Sequence, residues 1–165
     1  MYLIDSDVLI TARKQYYSFD VVPGFWQWII KAHEQGIVGS IRQVKDEITG
    51  GEDELKDWVK VLPANFFAEA DNEVTSNIAE LATWASSSRY FQDATDKFMG
   101  STDLLLIAHA KAHGHTVVSL ETSTPNSLSK IKIPDVCKHF EVACVRTFKM
   151  LAAENVQFHL RTSSI

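Results

Sequence analysis

The sequence predicts an α/β fold in three α/β/α layers, with a central, mostly parallel sheet and helices on both faces. Three observations predict it. Short apolar runs recur without polar alternation, as buried parallel strands do. Stretches with helical periodicity lie between those runs, and strand-helix alternation of this kind builds layered α/β domains. The chain has 165 residues with 45% hydrophobic and 22% charged side chains. That composition excludes disorder, collagen and coiled coil, and the length suits a single domain over residues 1–165.

The elements follow in chain order. Tyr2-Leu3-Ile4 reads as the first strand and Ile37-Val38 as the second. Between them a helix is expected over Phe25 to Gln35, stopped by Gly36. Ser40 is a candidate N-cap for a helix from Ile41 to Thr49, which ends at Gly50-Gly51. A charged, amphipathic helix is expected over Glu52 to Val61, before Pro63. Val74, Ile78, Leu81, Ala82 and Ala85 recur at helical spacing within Asn72 to Ser86. Asp103 to His113 reads as a further helix ending at Gly114, and Thr116 to Leu120 as the next strand. Val142 to Val145 is the last strand, Ser123 to Ser129 a loop, and Gln157 to Ile165 either an edge strand or a tail.

Two cysteines, Cys137 and Cys144, suit a reducing compartment better than a disulfide scaffold. The start Met1-Tyr2-Leu3-Ile4-Asp5 carries no basic leader, and no run approaches the roughly 18 apolar residues of a membrane span. A cytoplasmic protein that makes no use of a membrane is expected. Sixteen Lys and Arg against 21 Asp and Glu leave a net charge of −5. This excludes a strongly basic nucleic-acid coat, but not a nucleic-acid enzyme whose site is itself a cluster of carboxylates.

Where the acids sit therefore matters more than their number. Asp5 and Glu121 each follow an apolar strand, and open parallel sheets bind ligands beyond the carboxyl ends of their strands. Either acid alone also reads as a strand end meeting solvent. Ile41, Val44 and Ile48 define one helix face; Glu47 falls roughly 90° from its centre, at the border, and Asp46 nearly opposite, toward solvent. Asp103 opens its helix, where the dipole favours an acid for structural reasons and equally keeps a metal ligand ionised. Asp93 and Asp96 neither follow a strand nor open an apolar helix. Hard oxygen donors of this kind hold Mg²⁺ or Mn²⁺, and two such ions can clamp the attacking and leaving oxygens of a phosphodiester.

With these residues in view, the sequence resembles a PIN domain. The apolar strand into an aspartate is Tyr2-Leu3-Ile4-Asp5-Ser6-Asp7, the helical glutamate is Glu47, the third acid opens Thr102-Asp103-Leu104-Leu105-Leu106-Ile107-Ala108, and Thr116-Val117-Val118-Ser119-Leu120 leads to Glu121. The likeness spans residues 2 to 121. Tyr16-Tyr17-Ser18-Phe19-Asp20 and Lys132-Ile133-Pro134-Asp135-Val136-Cys137 resemble an uncharacterised subfamily grouped with the toxin-like, VapC-like bacterial PIN ribonucleases. Asp7 stands where asparagine is frequent, Ser119 where threonine is, and Glu121 where aspartate is usual; the longer Glu121 is expected to reach a metal through water.

The resemblance implies a PIN-like fold and a Mg²⁺- or Mn²⁺-dependent endoribonuclease, in which metal-activated water cleaves RNA to leave a 5′-phosphate and a 3′-hydroxyl. Asp5, Glu47, Asp103 and Glu121 would be the catalytic and metal residues, and Ser6, Asp7 and Ser119 would meet substrate. It further implies the toxin of a toxin-antitoxin pair, restrained by an antitoxin protein, and a homodimer.

Arg13 and Lys14 are candidates to bind substrate, with Lys130, Lys132 and Lys138 beside them on an RNA path. Tyr16, Tyr17, Phe19, Phe25, Trp26 and Trp28 suit core packing first, and a dimer face or base stacking second. His109 and His113 share a helix face, but Ala110 occupies the place of the glutamate that a zinc protease needs. Two other readings remain. In a haloacid-dehalogenase-like phosphatase Asp5 would be the nucleophile and Asp7 the acid, though the late acidic pair of that family is missing after Leu120. The third is an inactive PIN scaffold that binds RNA or protein.

Overall fold

The computed structural model describes residues 1–159. Its centre is a five-stranded, wholly parallel sheet in the order β3-β2-β1-β4-β5. The strands are β1 (Tyr2–Ile4), β2 (Val38–Ile41), β3 (Phe67–Ala68), β4 (Thr116–Val118) and β5 (Cys144–Val145). Helices flank the sheet, which makes the three-layer α/β/α arrangement expected from the alternation of runs. Ahead of β2 come α1 (Ser6–Thr11), a π-helical turn over Ala12–Tyr16 and α2 (Pro23–Glu34). Next are α3 (Arg42–Thr49) and α4 (Glu54–Val61), and after β3 come α5 (Asn72–Ser87), α6 (Gln92–Met99) and α7 (Thr102–His113). Finally α8 (Ile133–His139) precedes β5, and α9 (Thr147–Ala153) follows it.

The chain enters at the middle of the sheet and builds outward through β2 and β3. It then returns through α5, α6 and α7 to lay β4 on the other side of β1. That reversal of strand order puts the topological switch point between the carboxyl ends of β1 and β4. The register Leu3↔Val117 and Ile4↔Val118 fixes which residues emerge there, Asp5 from one strand and Ser119 from the other.

The core explains the composition of the elements. Leu3, Ile4, Val38, Ile41, Val117 and Val118 are buried, as strands covered on both faces require. In α7, Leu104, Leu106, Ile107, Ala108, His109 and Ala110 are all buried, so the helix shows no single apolar stripe. It packs on β2 and β4 and against α3, α5 and α8. Its end is set by Gly114, whose φ of 63° is left-handed and suits glycine. Tyr17, Phe25 and Trp26 belong to the core, with Tyr17 and Phe25 stacked at 4.3 Å and the Trp26 indole donating to the Tyr17 carbonyl at 2.6 Å. Among the described residues no helix is long and apolar enough to cross a membrane.

Several expectations need correction. Ser40 does not cap a helix. It lies in β2, and its hydroxyl donates to the Ile4 carbonyl at 2.6 Å, so tertiary pairing takes the side chain that local pattern assigns to a cap. The helix begins at Arg42, one residue after the expected Ile41. The strand β3 and the helices α6, α8 and α9 are additions to the elements expected. The segment from Gln157 shows no regular structure as far as His159, and residues 160–165 lie outside the described residues.

Replacing Ser40 with alanine removes a buried bond between the two central strands. A loss of about 1 kcal/mol is expected, read as a lower urea midpoint with unchanged slope. An unchanged midpoint would mean that the bond contributes nothing net.

Candidate active site

Asp5 is placed by the sheet itself. Its backbone N–H donates to the Val118 carbonyl at 3.0 Å, which extends the β1–β4 ladder by one residue. The chain then turns into α1, and the carboxylate is left facing the switch point with only 4% of the residue exposed. Ser119 Oγ donates to Asp5 Oδ2 at 3.2 Å, and Ser6 Oγ donates to Oδ1 at 3.4 Å. Ser119 Oγ also accepts from the Glu121 N–H at 3.2 Å, so one buried hydroxyl ties Asp5 to the segment that carries Glu121. Ser6 and Ser119, expected to meet substrate, are both buried and donate to Asp5.

Asp103 occupies the first turn of α7, half-buried. Burial first, then the charges of Glu121, Glu47 and Asp7, push its carboxyl up to about 6, and Lys132 opposes them. Asp5 is pushed up to about 7 by burial first, then by Asp103 and Asp7, against the hydrogen bond from Ser119. The helix dipole at Asp103 is outweighed: a buried carboxylate among like charges favours its proton. Asp7, exposed in the first turn of α1, therefore bears on both aspartates.

Glu47 is exposed on α3, where its Oε1 accepts from Thr102 Oγ1 at 2.6 Å. This bond ties α3 to the start of α7 and brings the Glu47 charge to Asp103. Its neighbour Asp46 pairs with Arg42 at 3.1 Å in solvent, as the helix periodicity predicts. Glu121 is committed elsewhere: Lys132 Nζ donates to Oε1, and the Ile133 N–H at the start of α8 donates to Oε2 at 2.8 Å. Both of its oxygens are thus engaged by a cation and a helix end. Thr102 and Lys132 are the partners that sequence alone does not reveal, since each meets its acid only in the folded chain. The one local signal was the Ile133-Pro134 step, which reads as a helix start.

Arg13 and Lys14 do not line the cleft beside the acids. Arg13 pairs with Asp53 at 3.5 Å and Glu54 at 3.8 Å, in a separate groove with Lys56, Asp57 and Lys60. Lys14 is exposed on the π-helical turn. The cleft beside Asp103 and Glu121 has a volume of about 300 Å³, with Lys97, Lys130, Lys132 and Phe98 also among its walls; Asp5, Asp7 and Glu47 do not line it. Asp93 and Asp96 are exposed on α6 and do not line it.

The donors are of a kind that could hold a hard divalent cation: oxygen atoms only, one aspartate buried and one half-buried, both destabilised as anions. Asp5 and Asp103 are the two such donors, with Asp7 and Glu47 in electrostatic reach. The spacing is that of separated carboxylates, since among the described residues no three His, Cys, Asp or Glu side chains are grouped closely enough to hold a metal ion. Glu47 and Glu121 are bonded to Thr102 and Lys132.

Fold and site together define a class: a parallel α/β/α protein with a buried aspartate, Asp5, at the switch point of its sheet. The chain belongs to the family described as a domain of unknown function, DUF4411, whose model matches residues 2–158. No curated protein and no solved structure matches it.

The raised carboxyls have a consequence for stability. Below about pH 4 Asp5 and Asp103 are protonated in both folded and unfolded chains. Between there and about pH 7 the folded chain holds protons that the unfolded chain has released, so their contribution falls as pH rises. Metal-free Asp103→Asn should therefore be more stable than the parent by roughly 1–2 kcal/mol at about pH 8 and little different at about pH 4. Urea unfolding at both pH values checks this; equal destabilisation at both would refute it.

Proposed function

We propose that the protein is a Mg²⁺- or Mn²⁺-dependent endoribonuclease of the PIN type. The observation that supports this reading is a pair of buried or half-buried aspartates, Asp5 leaving β1 at the switch point of the parallel sheet and Asp103 in the first turn of α7, with the charge of Asp103 acting on Asp5. A bound cation would offset the repulsion between Asp5 and Asp103. A bound divalent ion would supply charge neutralisation at the phosphoryl oxygens and water that is acidic at neutral pH.

Each residue of the chain then has a role. Asp5 and Asp103 hold the ion, and Ser119 and Ser6 fix the orientation of Asp5. Thr102 ties Glu47 to the start of α7. Glu121 anchors Lys132 at the mouth, a departure from the metal-supporting role that the PIN resemblance implies for it. The resemblance also supports a toxin restrained by an antitoxin, and a homodimer. The phosphatase reading is weaker, because the late acidic pair of that family is missing after Leu120.

Cleavage of tRNA and single-stranded RNA with Mn²⁺ tests the proposal. Wild type should leave 5′-phosphate and 3′-hydroxyl ends, chelation should stop it, and a folded Asp5→Asn should lose on the order of 100-fold or more in rate. Equal cleavage by Asp5→Asn would point to another site or a contaminant. Hydrolysis of a small phosphomonoester with an acyl-phosphate trapped on Asp5 would favour the phosphatase.

A further inference from the structure

We infer that the cleft between α6 and residues 129–132 is a subsite for one nucleotide of single-stranded RNA, in which Lys97 and Lys130 grip the phosphate next to the one that reacts. The inference rests on the nuclease reading of Asp5 and Asp103 and adds the substrate's strandedness and the residues that seat it.

Among the described residues, five Lys and Arg side chains, Arg13, Arg42, Lys60, Lys111 and Lys132, pair with the chain's own carboxylates. Lys97 and Lys130 make none among the described residues, yet both line the same cleft, whose other walls include Asp103 and Glu121. On α6 the positions Ala94, Lys97 and Phe98 share one helix face, so the lysine stands beside an apolar floor that Ile131 completes. The loop that carries Lys130 is braced. Its backbone N–H is near Ser127 Oγ at 3.2 Å, the Phe91 N–H donates to the Leu128 carbonyl at 2.8 Å, and Asp135 accepts from the Thr124 N–H at 2.8 Å. These bonds fix the backbone that carries Lys130, while its side chain stays exposed.

The distribution of charge selects the ligand. A cation alone would suit the acids and be repelled by the lysines, and a neutral molecule would use neither wall. A polyanion with one phosphate at a cation held by the acids, and the next at Lys97 and Lys130, uses both. The apolar floor of Ala94, Phe98 and Ile131 suits a ribose or base edge. A volume of about 300 Å³ is at the small end of ligand pockets and takes one splayed nucleotide rather than a duplex.

The test is the double variant Lys97→Gln/Lys130→Gln, compared with Lys14→Gln, whose lysine lies outside the cleft. Anisotropy with a fluorescein-labelled short single-stranded RNA in EDTA, over a NaCl series, reads binding. The double variant should bind about ten-fold more weakly, and its salt slope should fall by about 0.7, the value of one phosphate contact on a single strand. Lys14→Gln should match the parent, and the double arginine variant should restore binding. With Mn²⁺, KM should rise about ten-fold while kcat stays within about two-fold. If wild type cleaves RNA but the double variant changes neither KM nor salt slope, the subsite is overturned and the nuclease stands. If wild type never cleaves but loses binding with the two lysines, the subsite is supported and the nuclease reading fails. Equal weakening by Lys14→Gln, equally tight binding of a duplex, or no binding by wild type would each overturn the subsite.

Discussion

The pairing of β1 with β4 is the constraint on which the carboxyl edge of this protein depends. Because Ile4 lies opposite Val118, Asp5 and Ser119 leave the sheet side by side, and the ladder continues into the Asp5 N–H. That register lets one buried hydroxyl hold the Asp5 carboxylate and the Glu121 backbone together. A slip of one residue would turn Asp5 into the core and Ile4 toward the cleft. The buried Ser40 hydroxyl, bonded to the Ile4 carbonyl from the other neighbouring strand, steadies β1 from the opposite side.

The same geometry stores an electrostatic cost. Asp5 and Asp103 are buried among acids, and their raised carboxyls measure how poorly the protein alone solvates two anions there. Lys132 offsets part of this at Asp103, but it is bound to Glu121, which also caps α8. The cluster is therefore divided. Glu121 and Lys132 pair at the mouth, and among the described residues Asp5 and Asp103 make no ion pair of their own. A net charge of −5 hides this division, and it also hides the gathering of Lys97 and Lys130 on one wall of the cleft.

The sequence made the parts of the fold with strong local signals legible. β1 and β4 are short continuous apolar runs, and α2, α5 and α7 carry long periodic patterns or glycine stops. β3 has only two residues, and α6, α8 and α9 have seven or eight each, too short for periodicity to stand out. Ser40 misled because a hydroxyl before a helical stretch has the same signature whether it caps the helix or bonds a neighbouring strand. The positions of Asp5, Glu47 and Asp103 were readable from strand ends and helix faces. Their partners were not: Thr102 meets Glu47 across 55 residues of chain, and Arg13 finds Asp53 and Glu54 rather than the cleft.

The central claim is that Asp5 and Asp103 are the uncompensated halves of one cation site. Calorimetric titration of Mn²⁺ at about pH 6.5, in two buffers of different ionisation enthalpy, tests it most directly, because a cation that enters a partly protonated carboxylate pair must expel protons. Binding that releases about one proton, and that Asp5→Asn and Asp103→Asn each abolish, is the predicted result. Binding with no proton release, or binding that survives both substitutions, would contradict it.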